Sequence, residues 1–190
     1  MTKYALFDLD DTLLDFKNPM MEAIHEETGK NIHWSKWTSY NLLETYDISM
    51  ETLFEILTKH ECLLTALPFP LSKHILDKVR KLGYTICLVT ARGWSPESRE
   101  LTEEWLKHYD FPYDELIVTQ VGDNKVDSLK HIEYFDFAID DNHENCEHFA
   151  TSGKFKDTFM MSAPWNMKEC LKTSGIKRIY SLNDFDKMKF

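Results

Sequence analysis

The stretch FDLDDTLLD, residues 7–15, places four aspartates within nine positions, directly behind the apolar run Tyr4, Ala5 and Leu6. An apolar run that ends in carboxylates reads as a buried strand, Lys3 to Asp8, with Asp8 and Asp10 delivered at its tip. The fold follows from whether further runs of this kind surround it.

They do. TICLVT (85–90), LIVT (116–119), FDFAID (135–140), TFMM (158–161) and RIYSL (178–182) are short apolar runs, and the FDFAID run again ends in acid. Helical patterns separate most of them. Ile75, Leu76, Val79 and Leu82 recur at helical intervals within 72–82, and Gly83 follows as a C-terminal stop. Ser95 and Pro96 read as the cap and first residue of a helix over 96–108. Strands alternating with helices predict an α/β fold, a Rossmann-like three-layer arrangement whose mostly parallel sheet is covered on both faces.

Residues 17–71 interrupt this alternation. Met20, Met21 and Ile24 in one segment, and Leu53, Phe54, Ile56 and Leu57 in another, are spaced as on helices. Trp34, Trp37, Tyr40 and Tyr46 enrich the stretch in aromatics, and LPFPL (67–71) closes it with two prolines. A small helical cap at 17–71, inserted after the first strand of a core formed by 1–16 and 72–190, is the expected organisation. The 190 residues are enough for one domain with such an insert.

Composition narrows the function. A hydrophobic content of 43% is that of a globular chain. The formal net charge of -10 argues against a long nucleic acid as partner, while leaving room for a local basic pocket. No apolar run approaches the ~18 residues needed to span a membrane. MTKYALFDLDDT lacks the features of a signal peptide, so a cytoplasmic location is expected. Cys62, Cys87, Cys146 and Cys170 are scattered and read as free thiols in a reducing compartment. The histidines show no HxH or HExxH spacing, so no zinc site is expected.

In open parallel sheets ligands bind beyond the carboxyl ends of the strands. Asp8 and Asp10 lie at one such end, Thr90 at another, and Asp140 and Asp141 at a third, with Lys125 between them in sequence. Carboxylates gathered at one place cannot all stay ionised without counter-charge. A hard divalent cation with oxygen ligands meets that need, and Mg²⁺ suits one or two direct carboxylates. A metal and a lysine about one spot favour a phosphoryl substrate. One carboxylate can then attack phosphorus, and a second can protonate the leaving alcohol and later activate water.

The four motifs together resemble those of the haloacid dehalogenase (HAD) superfamily. DLDDT (8–12) is similar to its DxDx(T/V) signature, LVTAR (88–92) to its second motif, Lys125 to its third-motif lysine and FAIDDN (137–142) to its fourth motif. They occur in order over about residues 3 to 165. The resemblance implies the HAD fold and a set of roles. Asp8 would be nucleophile and Mg²⁺ ligand, and Asp10 general acid/base with its backbone carbonyl on the metal. Thr90 would bond the phosphoryl oxygens, Lys125 would balance charge, and Asp140 or Asp141 would complete the metal site. An aspartate at position 10 favours a phosphohydrolase or phosphotransferase over a dehalogenase.

A cap after the first motif is similar to that of several HAD branches, among them the 5'(3')-deoxyribonucleotidases with their bacterial and phage relatives. Asp15 and Phe16 stand where that family has an acid–Phe pair near the base pocket. The cap's tryptophans and tyrosines, Trp37 among them, suit stacking of a base. SAPWN (162–166) resembles a segment of bacterial members. Thr12 departs from the Gly-Val of the animal enzymes, and Thr90-Ala91-Arg92 departs from their Thr-Ser-Pro. Thr90-Ala91-Arg92 instead resembles the phosphatase part of polynucleotide kinase/3'-phosphatases, and Arg92 would then help hold a phosphate or a base. The expected substrate is a nucleoside monophosphate contacted by Phe16, Trp37, Ala91 and Arg92. A polynucleotide 3'-phosphate and another small phosphate ester are the alternatives. A non-enzymatic relative would carry a broken motif, and none is broken here.

Overall fold

The computed structural model describes residues 2–38, 41–169 and 175–188; Tyr40 and Cys170 lie outside them. The first strand, β1 (Lys3–Phe7), is followed by a two-residue strand β2 (Leu14–Asp15) and by helices α1 (Lys17–Thr28), α2 (Leu42–Tyr46), α3 (Met50–Lys59) and α4 (Cys62–Thr65). Then come β3 (Leu67–Pro68), α5 (Ser72–Lys81), β4 (Tyr84–Thr90), α6 (Ser98–His108) and β5 (Glu115–Val118). The chain finishes with β6 (Phe135–Asp140), α7 (His143–Thr151), β7 (Phe155–Met161), β8 (Ile176–Ile179) and α8 (Leu182–Asp186).

Six strands form one sheet in the order β5-β4-β1-β6-β7-β8, every neighbouring pair parallel. β1 is thus flanked by β4 on one side and β6 on the other. The winding direction reverses there, and the crevice beyond the ends of such strands is where parallel sheets bind ligands. Alternation along the strands makes two apolar faces. Ala5, Phe7, Ile86, Leu88, Phe137 and Ile139 pack with Ile75, Leu76 and Val79 of α5, Trp105 and Leu106 of α6, and Phe185 of α8. Leu6, Cys87, Val89 and Ala138 pack on the other side with Leu129, Ile132 and Phe149 of α7. The result is the expected three-layer α/β fold.

All six strands expected from the sequence are present. Gly83 ends α5 as expected, with φ 84° and its N–H donated to Arg80 O at 2.9 Å. Three elements have a boundary displaced by two residues or more. α6 begins at Ser98 rather than at residue 96, because Ser95 closes a separate turn in which its carbonyl accepts the Ser98 N–H at 3.1 Å. β7 starts at Phe155, so its polar opening residues Lys156 and Asp157 are part of the strand. β8 ends at Ile179, and Leu182 already belongs to α8.

Between β2 and β3 the described secondary-structure elements are all helices, as the spacing predicted. The base of this insert was not anticipated. β2 and β3 pair antiparallel, Leu14 with Pro68 and Asp15 with Leu67, so the chain leaves and re-enters the core on one short ribbon. Lys17 at the start of α1 donates to Asp15 Oδ1 at 2.8 Å and to Asp11 Oδ1 at 3.2 Å, tying the insert to the aspartate loop. Cys62, Cys87 and Cys146 are buried and unpaired, and burial pushes the Cys62 and Cys87 thiols up to about 12. No described helix is long and apolar enough to cross a membrane.

Candidate active site

The aspartate loop grows directly out of the sheet. Asp8 N–H donates to Ile139 O at 2.9 Å, which prolongs the β1–β6 pairing by one residue and sets Asp8 beside the end of β6. The chain then turns at Asp11, whose φ of 56° is the left-handed conformation that aspartate tolerates better than most residues. Its N–H donates to Leu14 O at 2.8 Å.

Asp8, Asp140 and Asp141 are all buried, and a carboxylate oxygen of each lies within 4.8 Å of the others. Lys125, also buried, sits between two of them, with Nζ 2.5 Å from Asp8 Oδ1 and 2.8 Å from Asp140 Oδ2. Burial drives the Asp8 carboxyl well above the ordinary carboxylate range. Lys125 opposes this, while the charges of Asp140 and Asp10 add to it. Burial works against the Lys125 ammonium, but Asp140 and Asp8 hold its pKa above that of an ordinary lysine.

The two adjacent acids at the end of β6, Asp140 and Asp141, are held differently. Asp140 accepts from the Asn142 backbone N–H at 2.8 Å and from Asn145 Nδ2 at 3.3 and 3.1 Å, so both its oxygens are engaged once Lys125 is included. Asn142 also caps α7, accepting the Asn145 N–H at 3.1 Å. Asp141 Oδ2 accepts from Trp165 Nε1 at 2.8 Å, and Asn166 Nδ2 donates to the Asp141 carbonyl at 2.7 Å. Asp10 faces a second cation. Arg92 donates from Nη2 to Oδ1 at 2.5 Å and from Nε to Oδ2 at 2.8 Å, and the Thr90 hydroxyl donates to Oδ2 at 3.2 Å.

Three carboxylates gather at the Asp8 centre, where one ammonium meets both Asp8 and Asp140. The donors are all oxygen, the set that hard divalent cations prefer, and these residues fit Mg²⁺. A cavity of about 290 Å³ opens from this centre. Asp8, Asp10, Lys125, Asp140 and Asp141 form its polar end, and Phe16, Leu53, Phe54 and Trp94 are among its apolar lining. Phe54 and Trp94 stack with ring centroids 5.6 Å apart and planes 13° apart. Gly93 makes this placement possible. A Cβ there would lie 2.7 Å from Thr119 O, the carbonyl that accepts the Gly93 N–H at 2.9 Å.

The structure therefore brings Asp8, Asp10, Lys125, Asp140 and Asp141 together, with Phe16 and Ala91 on the cavity wall. Thr90 is fully buried and its hydroxyl serves Asp10. Two expected substrate contacts are placed elsewhere. Arg92 is fully buried beneath Asp10 and is absent from the cavity lining, because its guanidinium is committed to that carboxylate and to Thr102. Trp37 is 1% exposed, donates to the Tyr46 hydroxyl at 3.0 Å, and packs beside Trp165 with ring centroids 6.1 Å apart. It braces the tryptophan that holds Asp141 and does not reach the cavity. Trp94 escaped the sequence reading, and Phe54 entered it only through its helical spacing. For Trp94 the only signal was its place just past the Thr90-Ala91-Arg92 segment.

The sheet order and the acids at its carboxyl edge define a HAD-fold chain. A HAD-superfamily hydrolase from Ehrlichia chaffeensis superposes with a TM-score of 0.57 at 15% identity, covering 97% of this chain and 95% of that one. A hydrolase from Streptococcus pneumoniae superposes with a TM-score of 0.59 at 19% identity, covering 86% and 95%. At these identities the likeness is one of fold.

Residues 3–189 match the family described as 5' nucleotidase, deoxy (pyrimidine), cytosolic type C protein, and the chain belongs to that family. A Bacillus cereus protein named "Putative nucleotidase" is 28% identical over 115 residues, 57% of this chain and 60% of that protein's length.

One buried group in the loop has no partner. The Thr12 hydroxyl is enclosed and makes no hydrogen bond, and a buried unpaired hydroxyl costs about 1–3 kcal/mol. Thr12→Val keeps the shape and removes that cost. It is expected to raise the unfolding free energy by about 1 kcal/mol, read from urea midpoints.

Proposed function

We propose that the chain is a Mg²⁺-dependent phosphomonoesterase that releases phosphate from deoxynucleoside monophosphates through an aspartyl-phosphate on Asp8. The observation that carries this reading is the buried Asp8–Lys125–Asp140 centre, with Asp141 beside it, at the floor of an aromatic-walled cavity. Family membership supports the nucleotide as substrate.

Asp8, Asp141 and the backbone carbonyl of Asp10 would hold Mg²⁺, which supplies positive charge for the phosphoryl oxygens. Asp140 acts as the brace, since its oxygens already serve Lys125, Asn142 and Asn145. Lys125 opposes the upward push of burial on Asp8 and directs its carboxyl group. An Asp8 oxygen attacks phosphorus as the bond from phosphorus to the sugar oxygen breaks, and Asp10 gives that oxygen its proton. Water then attacks the phosphorus of the aspartyl-phosphate. Its proton passes to Asp10, the Asp8–phosphorus bond breaks, and inorganic phosphate leaves.

The helical insert at 17–71 serves as the cap over the core of 1–16 and 72–190. Its Phe54 and the core's Trp94 form a stacking wall, with Phe16 beside them, for the nucleobase. A reducing cytoplasm is the compartment its buried free thiols suit.

Phosphate release should be measured from dUMP, dTMP, dGMP and UMP, from their 3'-phosphate isomers, and from a 3'-phosphorylated oligonucleotide. The expected outcome is preference for a deoxynucleoside monophosphate, with activity lost in EDTA and restored by Mg²⁺. Preference for the oligonucleotide would overturn the substrate, and full activity in chelator would overturn the metal. Base–aromatic stacking contributes about 1–3 kcal/mol. Phe16→Ala should therefore raise KM about tenfold more for nucleotides than for p-nitrophenyl phosphate. Equal effects on the two would reduce Phe16 to packing.

A further inference from the structure

The two aspartates at the tip of β1 are gripped by different cations. Asp8 is held by Lys125, inside the cluster of acids, and Asp10 by Arg92, outside it. Resting on the phosphatase reading above, we propose that Arg92 is a positioning residue that aims the Asp10 carboxyl group at the leaving-group oxygen.

The geometry supports aim rather than bulk charge. Arg92 meets both oxygens of Asp10, through Nη2 at 2.5 Å and Nε at 2.8 Å. A planar guanidinium matched to a planar carboxylate in this way fixes the rotation of the carboxylate as well as its place. The guanidinium is itself fixed. Its Nη1 donates to Thr102 Oγ1 at 3.2 Å, and that hydroxyl donates onward to Ser98 O at 2.6 Å, anchoring the group to α6. The Phe16 ring lies over it at 5.7 Å. Among the described residues Asp10 has one other side-chain hydrogen bond, the Thr90 bond of 3.2 Å, and its side chain is 23% exposed. Without Arg92 the carboxyl group would be free to rotate away from the short reach that proton transfer requires. Phe16 touches Arg92 and also lines the cavity, so the base-binding wall and the aim of Asp10 share one side chain.

A general acid matters in proportion to the basicity of the leaving group. As the Asp8–phosphorus bond forms and the ester bond breaks, p-nitrophenolate can depart without a proton. A phenolate or a sugar alkoxide needs the proton from Asp10. Loss of aim should therefore penalise basic leaving groups selectively.

The experiment compares kcat/KM for p-nitrophenyl phosphate, phenyl phosphate and dTMP in the wild-type protein, Arg92→Met and Arg92→Lys, with Mg²⁺ present. This ratio reports steps through departure of the leaving group, so the later water attack drops out. The first two esters share one shape, and comparing them within one variant cancels any unfolded fraction. In Arg92→Met the preference for p-nitrophenyl phosphate over phenyl phosphate and dTMP should grow by about 30-fold or more, within the range of general acid catalysis. Arg92→Lys keeps the charge but not the two-point grip, and should recover only part of the loss. An equal fall for all three esters in Arg92→Met would overturn the positioning role while leaving the phosphatase reading standing. So would wild-type behaviour of Arg92→Lys. A wild-type protein that hydrolyses none of the three would overturn the phosphatase reading and this inference with it.

Discussion

Negative charge gathered and buried at the carboxyl edge of a parallel sheet is the constraint on which the rest of this structure depends. Asp8, Asp140 and Asp141 are enclosed by protein, and Lys125 meets the first two at close range. Burying carboxylates together is costly, and a fold tolerates it only where the surroundings hold the groups in place. Here the surroundings do so thoroughly. β1 and β6 are neighbours, which sets Asp8 against the end of β6. Asn145 takes Asp140 and Trp165 takes Asp141, while Asn166 fixes the Asp141 carbonyl. This arrangement is what the proposed metal and nucleophile roles rest on.

The same loop divides two kinds of chemistry between residues two positions apart. Asp8 continues the sheet pairing and points its charge into the acidic cluster, where an ammonium meets it. Asp10 stands past the buried Leu9 and meets a guanidinium that belongs to the end of the neighbouring strand. Asp11 has a third role, since with Asp15 it holds Lys17 and so fixes the base of the helical insert. The insert in turn supports the site from a distance. Trp37 packs on Trp165, and Trp165 holds Asp141.

Much of this was legible because it is local. The six strands, the helical character of the insert and the stop at Gly83 follow from short-range periodicity and turn chemistry, and the order of the acids along the chain follows from the strands that carry them. What stayed hidden depends on long-range contact. The β2–β3 ribbon joins residues more than fifty positions apart through two pairs, a signal too short for any pattern. Arg92 and Trp37 were read as substrate contacts because both residue types suit nucleotides. The structure spends Arg92 on Asp10 and Trp37 on Trp165, partners that no spacing could reveal. Trp94 reaches the cavity because Gly93 allows the loop to lie against Thr119, a close approach visible only in three dimensions.

The central claim is that Asp8 carries the phosphoryl group between substrate and water. The most direct measurement is mass spectrometry of the chain after acid quench during turnover of a deoxynucleoside monophosphate with Mg²⁺. The account predicts a population heavier by one phosphoryl group, with the modification confined to the peptide containing Asp8 and absent from Asp8→Asn. Turnover with no phosphorylated chain at any quench time, or with the phosphoryl group on another residue, would contradict it.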